Sequence, residues 1–180
     1  MIKATETKLK GCFVIEPQVF EDERGYFFES HNHKDFCEAI GQEITFVQDN
    51  ISFSKKGVLR GLHFQKGEYA QAKLISVLQG EIQDVVVDLR KDSPTFCQYL
   101  SMDLSSDNKK QLFVPRGFAH GFLTLSDSAK VFYKCDNYYN KKKEGGLCFD
   151  DAKLAIDWKL EKSASILSKK DVLWERINGF

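Results

Sequence analysis

The chain has 180 residues, and its 26 lysines and arginines are balanced by 26 aspartates and glutamates. A formal net charge of zero gives no general attraction to nucleic acid or to a membrane surface, so local charges must hold any anionic ligand. The length suits a single domain covering residues 1–180. Fifteen phenylalanines and only three prolines predict an ordered chain that is rich in β-structure.

The cysteines predict a protein without disulfide bonds. They are odd in number and widely spaced, with no CxxC pair, which is typical of free thiols in a reducing cytosol. The N-terminal segment lacks the long apolar stretch of a signal peptide, and no run approaches the roughly 18 apolar residues of a membrane span. We therefore expect a soluble, cytoplasmic protein. The cysteines are Cys12, Cys37, Cys97, Cys135 and Cys148.

Short runs of β-forming residues, separated by turn residues, recur along the chain and favour an all-β sandwich or jelly roll. In chain order the predicted strands are 12–17, 25–30, 46–54, 57–65, 73–79, 81–90, 98–104, 111–115, 121–126 and 129–139. Gly80 separates two of these strands and predicts a hairpin turn. Two short helices are predicted at the periphery, one over 33–41 that ends at Gly41 and one over 163–177 that packs against the sheets.

Two segments, 57–65 and 113–122, each place a histidine beside glycines and an arginine. Their spacing fits the two half-motifs of a cupin barrel, in which facing strands bring metal ligands together. The first half-motif is matched by Gly57 and His63, and the second by Pro115, Gly117 and His120. Gln65 stands where the first motif needs a second histidine, and an amide is a poor ligand for zinc or iron. The pattern predicts a cupin-type jelly roll whose pocket uses neither a metal nor a cofactor.

Three residues in or near these segments are candidates for chemistry, and each also has a structural interpretation. His63 gains basicity if a carboxylate holds it, and Gly61 on the same strand face is predicted to leave room for a ligand beside the imidazole. Lys73 enters an apolar strand, where it either extends to solvent or stabilises negative charge on a substrate oxygen. Tyr133 is either a core aromatic residue or a general acid at the end of a pocket.

Further residues indicate binding. Arg24, Arg60 and Arg116 adjoin glycines or turns, where a guanidinium group can reach a phosphate, although surface ion pairs are the alternative. Tyr138 and Tyr139 follow a strand and either offer a ring to a flat ligand or are simply exposed. The segment 31–33 reads His-Asn-His, which resembles a metal motif but has no companion ligands in the sequence.

Taken in order along the chain, these segments resemble the dTDP-4-dehydrorhamnose 3,5-epimerase family, which is a family of metal-free cupins. The resemblance rests on PQVFEDERGYFFES, FVQDNISFSKKGVLRGLHFQ, YAQAKL, DVVVDLRKDSPTF, FVPRGFAHGF, YKCDNYY and ILSKKD. It implies a dTDP-4-keto-6-deoxyglucose substrate, whose ketone acidifies the hydrogens at C3 and C5. It also implies that His63 is the base and is held by Asp171, that Tyr133 is the acid, and that Lys73 stabilises the enolate.

The resemblance also implies a set of substrate-binding residues and a homodimer that shares strands across its interface. The arginines and Lys170 suit a diphosphate, and Tyr139 corresponds to the ring that stacks on thymine. The implied binding residues are Arg24, Glu29, Gln48, Asp49, Asn50, Arg60, Lys73, His120, Tyr139, Glu144 and Lys170.

Four positions depart from the usual family pattern, and other functions stay open at this point. Arg116 replaces a frequent glutamate, Asp136 a common threonine, and Asn140 and Ala152 each a common proline; these changes concern loop geometry and ligand preference. The nearest alternatives are an epimerase acting at only C3 or only C5, or a ketoisomerase. A non-catalytic nucleotide-sugar binding module and a metal-dependent cupin oxygenase are the alternatives from other classes.

Overall fold

A computed structural model describes residues 2–160 and 164–177, which form two antiparallel sheets and a separate hairpin. One sheet has six strands: β1 (Ile2–Glu6), β2 (Phe13–Pro17), β5 (Gln48–Lys55), β7 (Lys73–Gln79), β10 (Gln111–Val114) and β12 (Ser128–Cys135). The other has five: β6 (Leu59–Gln65), β8 (Glu81–Asp88), β9 (Tyr99–Ser105), β11 (Phe118–Thr124) and β13 (Glu144–Gly146). The hairpin pairs β3 (Phe20–Asp22) with β4 (Gly25–Phe27). Every predicted strand overlaps an observed one, whereas β1, β3 and β13 were not predicted.

The two sheets pack face to face around a shared apolar core, as in a jelly roll. The strand order is β1-β2-β10-β7-β12-β5 in one sheet and β13-β6-β11-β8-β9 in the other. Ile75 and Val131 of the six-stranded sheet meet Val86 and Phe122 of the five-stranded sheet in this core. Apolar residues recur at alternate positions on these strands because one face of each strand points inward. The prediction of an all-β cupin-type sandwich with few helices is confirmed.

Helix α1 (His33–Ile40) covers the outer face of the six-stranded sheet. Its first turn is capped by Asn32, whose side chain accepts a hydrogen bond from the Asp35 N–H. It ends at Gly41, which has a φ of 68° and donates its N–H to the last carbonyls, as the sequence predicted. Phe36 and Ile40 pack on Leu74 and Phe113 of the sheet beneath. Additional single turns of 3₁₀-helix occur at Gly67–Tyr69, Lys141–Lys143 and Asp171–Leu173.

The C-terminal segment packs on the five-stranded sheet, but not as the helix predicted over 163–177. Within the described part, 164–177, the chain forms isolated bridges between Val58 and Ile166 and between Leu147 and Glu175, beside β6 and β13. The turn Asp171–Leu173 is a single turn of 3₁₀-helix, and no α-helix forms between 164 and 177. The helical pattern was overridden because pairing with the sheet satisfies the backbone and also buries Ile177 against the sheet's outer face.

Gly80 does not form the predicted hairpin turn. It connects β7 to β8, and these strands belong to different sheets, so the chain crosses here from one layer to the other. Gly80 has a φ of 77°, and a Cβ atom at this position would lie 2.1 Å from the carbonyl oxygen of Ser128. The glycine is therefore required by a tight crossing between layers.

The pairing of β6 with β11 places two of the four histidines side by side. His63 is directly opposite His120, and the register shifts by one residue before Arg60 meets Phe122. The prediction that Gly61 leaves room for a ligand was wrong. A Cβ atom on Gly61 would lie 2.5 Å from the Cα atom of Gly121, so the missing side chain admits the neighbouring strand.

Across the described ranges, no helix has both the length and the apolar character needed to cross a bilayer.

Candidate active site

Strands of both sheets contribute side chains to a cavity of about 470 Å³, which we call the cleft. A smaller cavity of about 240 Å³ adjoins it and shares several of its lining residues. Nine of the residues proposed from the sequence line the cleft: Arg60, His63, Lys73, His120, Tyr133, Tyr139, Glu144, Lys170 and Asp171. Gln48 and Asn50 line the adjoining cavity.

His63 is held by a buried carboxylate, as the resemblance implied. Its Nε2 atom forms a hydrogen bond with Asp171 Oδ1, while Ser168 donates its hydroxyl to Asp171 Oδ2 at 2.8 Å. Burial opposes ionisation of Asp171, but the hydrogen bonds from His63 and Ser168 outweigh it and lower its pKa. The ionised carboxylate fixes the tautomer of His63, so its other ring nitrogen is free to take a proton.

Lys73 places an ammonium group between the two sheets. It is the first residue of β7, and its Nζ atom lies 6.0 Å from the centroid of the Tyr133 ring. Burial lowers the pKa of Lys73, although the carboxylates of Asp84 and Glu144 act in the opposite direction. A desolvated cation stabilises developing negative charge more strongly than one in water, because the local dielectric is lower.

Tyr133 contributes a phenol to the same cleft. Strand alternation turns it toward the core, where it packs against the apolar residues between the sheets. Burial raises the pKa of Tyr133, and Cys135 acts in the same direction while Arg60 opposes it. The phenol therefore stays protonated across the neutral range and can act as an acid.

A second histidine–carboxylate pair lies beside the first, and its carboxylate was missed from the sequence. His120 Nε2 is 2.7 Å from Asp84 Oδ1, and both residues are buried. Asp84 Oδ2 has no hydrogen-bond partner among the described residues. The available signal was an aspartate that directly precedes the apolar run Val85–Val87 inside a predicted strand, because a buried carboxylate needs a partner.

Polar side chains form the rim of the cleft around Glu144. Its two carboxylate oxygens accept hydrogen bonds from Lys170 Nζ at 2.6 Å and from the Tyr139 hydroxyl at 3.3 Å. Gln48 accepts the backbone N–H of Tyr139 at 3.0 Å and donates its amide to Asn50 at 3.1 Å. This network fixes an exposed ring next to a cation at the entrance, which suits a flat base attached to an anionic group.

Three of the site residues implied by the resemblance line neither the cleft nor the adjoining cavity of their own chain. Asp49 lies on the opposite face of β5 and pairs with Lys134 at 2.8 Å. Arg24 is exposed in the β3–β4 hairpin, where it pairs with Asp22, and Glu29 is exposed shortly after it. Within a single chain, Arg24 and Glu29 are therefore separated from His63.

Two of the four departures from the family pattern contact each other. Arg116 Nε donates to Asp136 Oδ2 at 2.8 Å, and Asp136 Oδ1 accepts the backbone N–H of Ala72 at 2.7 Å. The Asp136 N–H also donates to the Ala72 carbonyl at 3.1 Å. Because Ala72 directly precedes Lys73, this pair of residues fixes the start of β7 at the cleft.

Of the other two departures from the family pattern, Asn140 has a local structural reason, and Ala152 has none that the structure explains. Asn140 donates its backbone N–H to the Gln65 side chain at 2.9 Å, and a proline at this position has no N–H to donate. Gln65, which stands in place of a cupin metal ligand, is thus a buried structural residue. Ala152 is exposed in a turn.

Comparison with known proteins identifies relatives along nearly the whole chain. The model of the dTDP-4-dehydrorhamnose 3,5-epimerase family matches residues 6–178. The dTDP-4-dehydrorhamnose 3,5-epimerase of Salmonella typhimurium is 50% identical over 169 residues, which cover 94% of this chain and 92% of that protein.

Solved structures agree with this assignment. The dTDP-4-dehydrorhamnose 3,5-epimerase of Elizabethkingia anophelis superposes with a TM-score of 0.95 at 55% identity, covering 99% of this chain and 97% of that one. A dTDP-6-deoxy-D-glucose-3,5-epimerase from Legionella pneumophila, solved in complex with dTDP-4-keto-L-rhamnose, gives a TM-score of 0.94 at 46% identity, with coverage of 99% and 94%. The chain therefore belongs to the dTDP-4-dehydrorhamnose 3,5-epimerase family of isomerases.

Proposed function

We propose that this chain epimerises C3 and C5 of dTDP-4-dehydro-6-deoxy-D-glucose and yields dTDP-4-dehydro-L-rhamnose. The observation that carries the proposal is the presence of a carboxylate-held histidine, a protonated tyrosine and a desolvated lysine in one cleft. His63 takes a proton from the carbon next to the ketone, and the electron pair moves to the C4 oxygen as an enolate. Tyr133 returns a proton from the opposite face, which inverts that carbon.

Stabilisation of the enolate depends mainly on Lys73, because a carbanion next to a ketone is too high in free energy to form readily in water. One preorganised charge at the oxyanion contributes roughly 100 to 1,000-fold in rate, and each proton-transfer group adds roughly 100 to 10,000-fold. After each inversion, His63 and Tyr133 return to their starting protonation states by exchange with solvent. The reaction requires no net oxidation or reduction of the sugar.

Substrate binding follows from the charges around the cleft. Arg60 and Lys170 line it as cations, which suits the diphosphate of a nucleotide sugar, and we propose that Tyr139 stacks on the base. Arg60 is already oriented by hydrogen bonds to Ser54 Oγ at 3.0 Å and to the Phe53 carbonyl at 3.1 Å. The amides of Gln48 and Asn50 are placed to contact the same ligand.

We also propose that two copies form a homodimer in which the β3–β4 hairpin reaches the cleft of the partner. The hairpin exposes Phe20, Tyr26 and Phe27, and the edge strand β5 exposes Ile51 and Phe53. Apolar side chains exposed on an edge strand and a projecting hairpin suit an interface between strands. Arg24 and Glu29 would then serve a site in the other protomer.

The single domain expected over 1–180 and the cytoplasmic location are further parts of the proposal. All five cysteines are free, which supports a reducing compartment.

The proposed reaction is tested by incubating dTDP-4-dehydro-6-deoxy-D-glucose with the enzyme in heavy water and locating deuterium at each carbon by NMR and mass spectrometry. We expect label at both C3 and C5, and no label with His63→Ala. The control Tyr99→Phe, which lies on β9 away from the cleft, should label both carbons at the normal rate. Label at a single carbon would establish a single-site epimerase instead, and no label would indicate a binding module or another substrate.

A further inference from the structure

The two histidines of the His-Asn-His segment have different surroundings. His31 lies between the rings of Phe36 and Phe46, with ring centroids 5.4 and 5.2 Å away, and burial lowers its pKa. His33 is exposed at the start of helix α1. No companion ligands were predicted for His33, but the fold brings Cys37 and Glu43 to it.

Three ligand atoms converge at this point on the surface. His33, Cys37 and Glu43 each offer one nitrogen, sulfur or oxygen atom, and these atoms all lie within 4.8 Å of one another. The sulfur of Cys37 is 3.8 Å from His33 Nδ1, and Glu43 Oε1 is 2.9 Å from His33 Nε2. Imidazole, thiol and carboxylate are the side chains that bind zinc in proteins.

The backbone holds these three side chains in place. His33 and Cys37 are four residues apart on one helix face. The left-handed conformation of Gly41 then turns the chain back, and the Ile44 N–H donates to the Cys37 sulfur at 3.4 Å. This N–H helps to hold the Cys37 sulfur in position beside His33.

We propose that Cys37 Sγ, His33 Nδ1 and Glu43 bind Zn²⁺, with solvent as the remaining ligand; Glu43 pairs with His33 Nε2 in this structure, and its exposed side chain turns to the Nδ1 side when the ion binds. Zinc bond lengths of about 2.3 Å to sulfur and about 2.0 Å to nitrogen place those two atoms about 3.5 Å apart in a tetrahedral site, near the observed 3.8 Å. Binding releases the thiol proton to the buffer. The ion would tie helix α1 to the following loop, and none of its ligands lines the cleft.

The site is tested on the full chain after treatment with a chelator, by titration with Zn²⁺ and, separately, with Co²⁺ as a spectroscopic probe. We expect one Zn²⁺ per chain, a rise in Tm on binding, and the near-ultraviolet charge-transfer band of a cobalt thiolate. Cys37→Ser should abolish that band and lower Zn²⁺ affinity by at least about 10-fold, and Glu43→Gln should weaken binding with the band retained. The matched controls Cys148→Ser and Lys34→Gln should bind as the parent does.

Three results would overturn the proposal: no Zn²⁺ binding, binding unchanged in both Cys37→Ser and His33→Asn, or a cobalt spectrum without thiolate character. The two variants act on different ligands, so misfolding of one leaves the other as a test. These measurements do not depend on turnover, so they separate this site from the proposed epimerase reaction. Epimerase activity should be the same before and after zinc is added.

Discussion

Lys73 begins a strand whose next four residues are buried, and this position desolvates its ammonium group. The same residue is expected to stabilise the enolate, so the effect of burial on its protonation state also affects the rate of the reaction. Tyr133 is affected by burial in the opposite sense, because desolvation raises the pKa of a phenol and lowers that of an amine. Burial therefore keeps the Tyr133 phenol protonated near neutral pH, whereas it works against the charged form of Lys73 that the enolate needs.

Replacing Lys73 tests the electrostatic contribution. We expect Lys73→Gln to lower kcat by roughly 100 to 1,000-fold, because one preorganised charge at the oxyanion is lost. The control Lys130→Gln removes an exposed charge from the neighbouring strand β12 and should leave kcat unchanged. Steady-state kinetics on both variants make the comparison, and a loss of less than 10-fold in Lys73→Gln would remove this role.

The pH dependence of turnover provides a second test of Lys73. Since its pKa in the folded chain is depressed, the charge is lost as pH rises through a value below the ordinary 10.5. We expect kcat to fall on the alkaline side below that pH, and Lys73→Arg to move the fall upward, because a guanidinium group stays charged. A fall at unchanged pH in Lys73→Arg would assign it to another group.

Replacing Tyr133 separates proton removal from proton return. Tyr133→Phe keeps the ring but removes the acidic proton. We therefore expect the variant to keep exchanging hydrogen at a substrate carbon after its rate of net epimerisation has fallen. Deuterium incorporation and product formation, measured in the same samples, give the two rates. Full epimerisation by the variant would exclude Tyr133 from the mechanism.

Among the connections between elements, the link between β7 and β8 sets how the two sheets face each other. It consists of Gly80 alone, whose positive φ and missing side chain allow the chain to change sheets within one residue. Lys73 lies at the other end of β7 from Gly80, and Asp84 lies within β8. The crossing therefore helps to fix the position of Lys73 relative to the Asp84–His120 pair.

Two glycine replacements separate backbone strain from steric conflict. Gly80→Ala and Gly67→Ala both place a side chain at positive φ, but only Gly80 lacks space, since nothing lies within 4 Å of a Cβ atom at Gly67. We expect Gly67→Ala to cost about 1 kcal/mol of unfolding free energy and Gly80→Ala clearly more. Urea denaturation measures both values, and equal losses would show that the crossing tolerates a side chain.

For the molecule as a whole, acid stability should depend on a buried carboxylate at the end of β8. Burial opposes ionisation of Asp88, but hydrogen bonds from Arg90, Ser93 and Thr95 lower its pKa to about 2. Because this value lies below the ordinary 3.8, the ionised form stabilises the fold above the unfolded pKa. That stability is lost as the pH falls from about 4 toward about 2.

Asp88→Asn tests this contribution. We expect the variant to be less stable than the parent at neutral pH, with a smaller further loss on acidification, because the parent alone loses the ionised network. The exposed Asp92→Asn serves as the control and should follow the parent. Urea midpoints at about pH 7, 4 and 2.5 give the comparison, and parallel curves for Asp88→Asn and the parent would contradict the assignment.

The proposed homodimer is tested by mixing inactive variants. If Arg24 serves the partner's cleft, Arg24→Ala and His63→Ala protomers together form one intact site in each mixed dimer. Random exchange then restores about a quarter of the parent activity, since half of the dimers are mixed and each has one intact site. A mixture that stays inactive after subunits are shown to exchange would mean that Arg24 acts in its own chain or not at all.

Much of the fold and of the candidate site follows from local patterns in the sequence. Strands repeat with a period of two and helix α1 ends at a glycine, so alternation and turn residues located ten strands and one helix. The segments GVLRGLHFQ and VFYKCDNYY, read by their resemblance to a family, pointed to His63 and Tyr133 before any distance was known. Such patterns succeed because backbone geometry is set by residues that are close in sequence.

The remaining features depend on which distant segments meet. Nothing local to Gly80 distinguishes a hairpin from a crossing between sheets, and nothing near His120 or Arg116 names Asp84 or Asp136 as its partner. The segment 164–177 has a helical pattern but is more stable when it pairs with the chain beside β6 and β13. The placement of strands in layers and the burial of charged groups depend on contacts between residues that are far apart in sequence. The free energy that determines them arises only when the whole core is assembled.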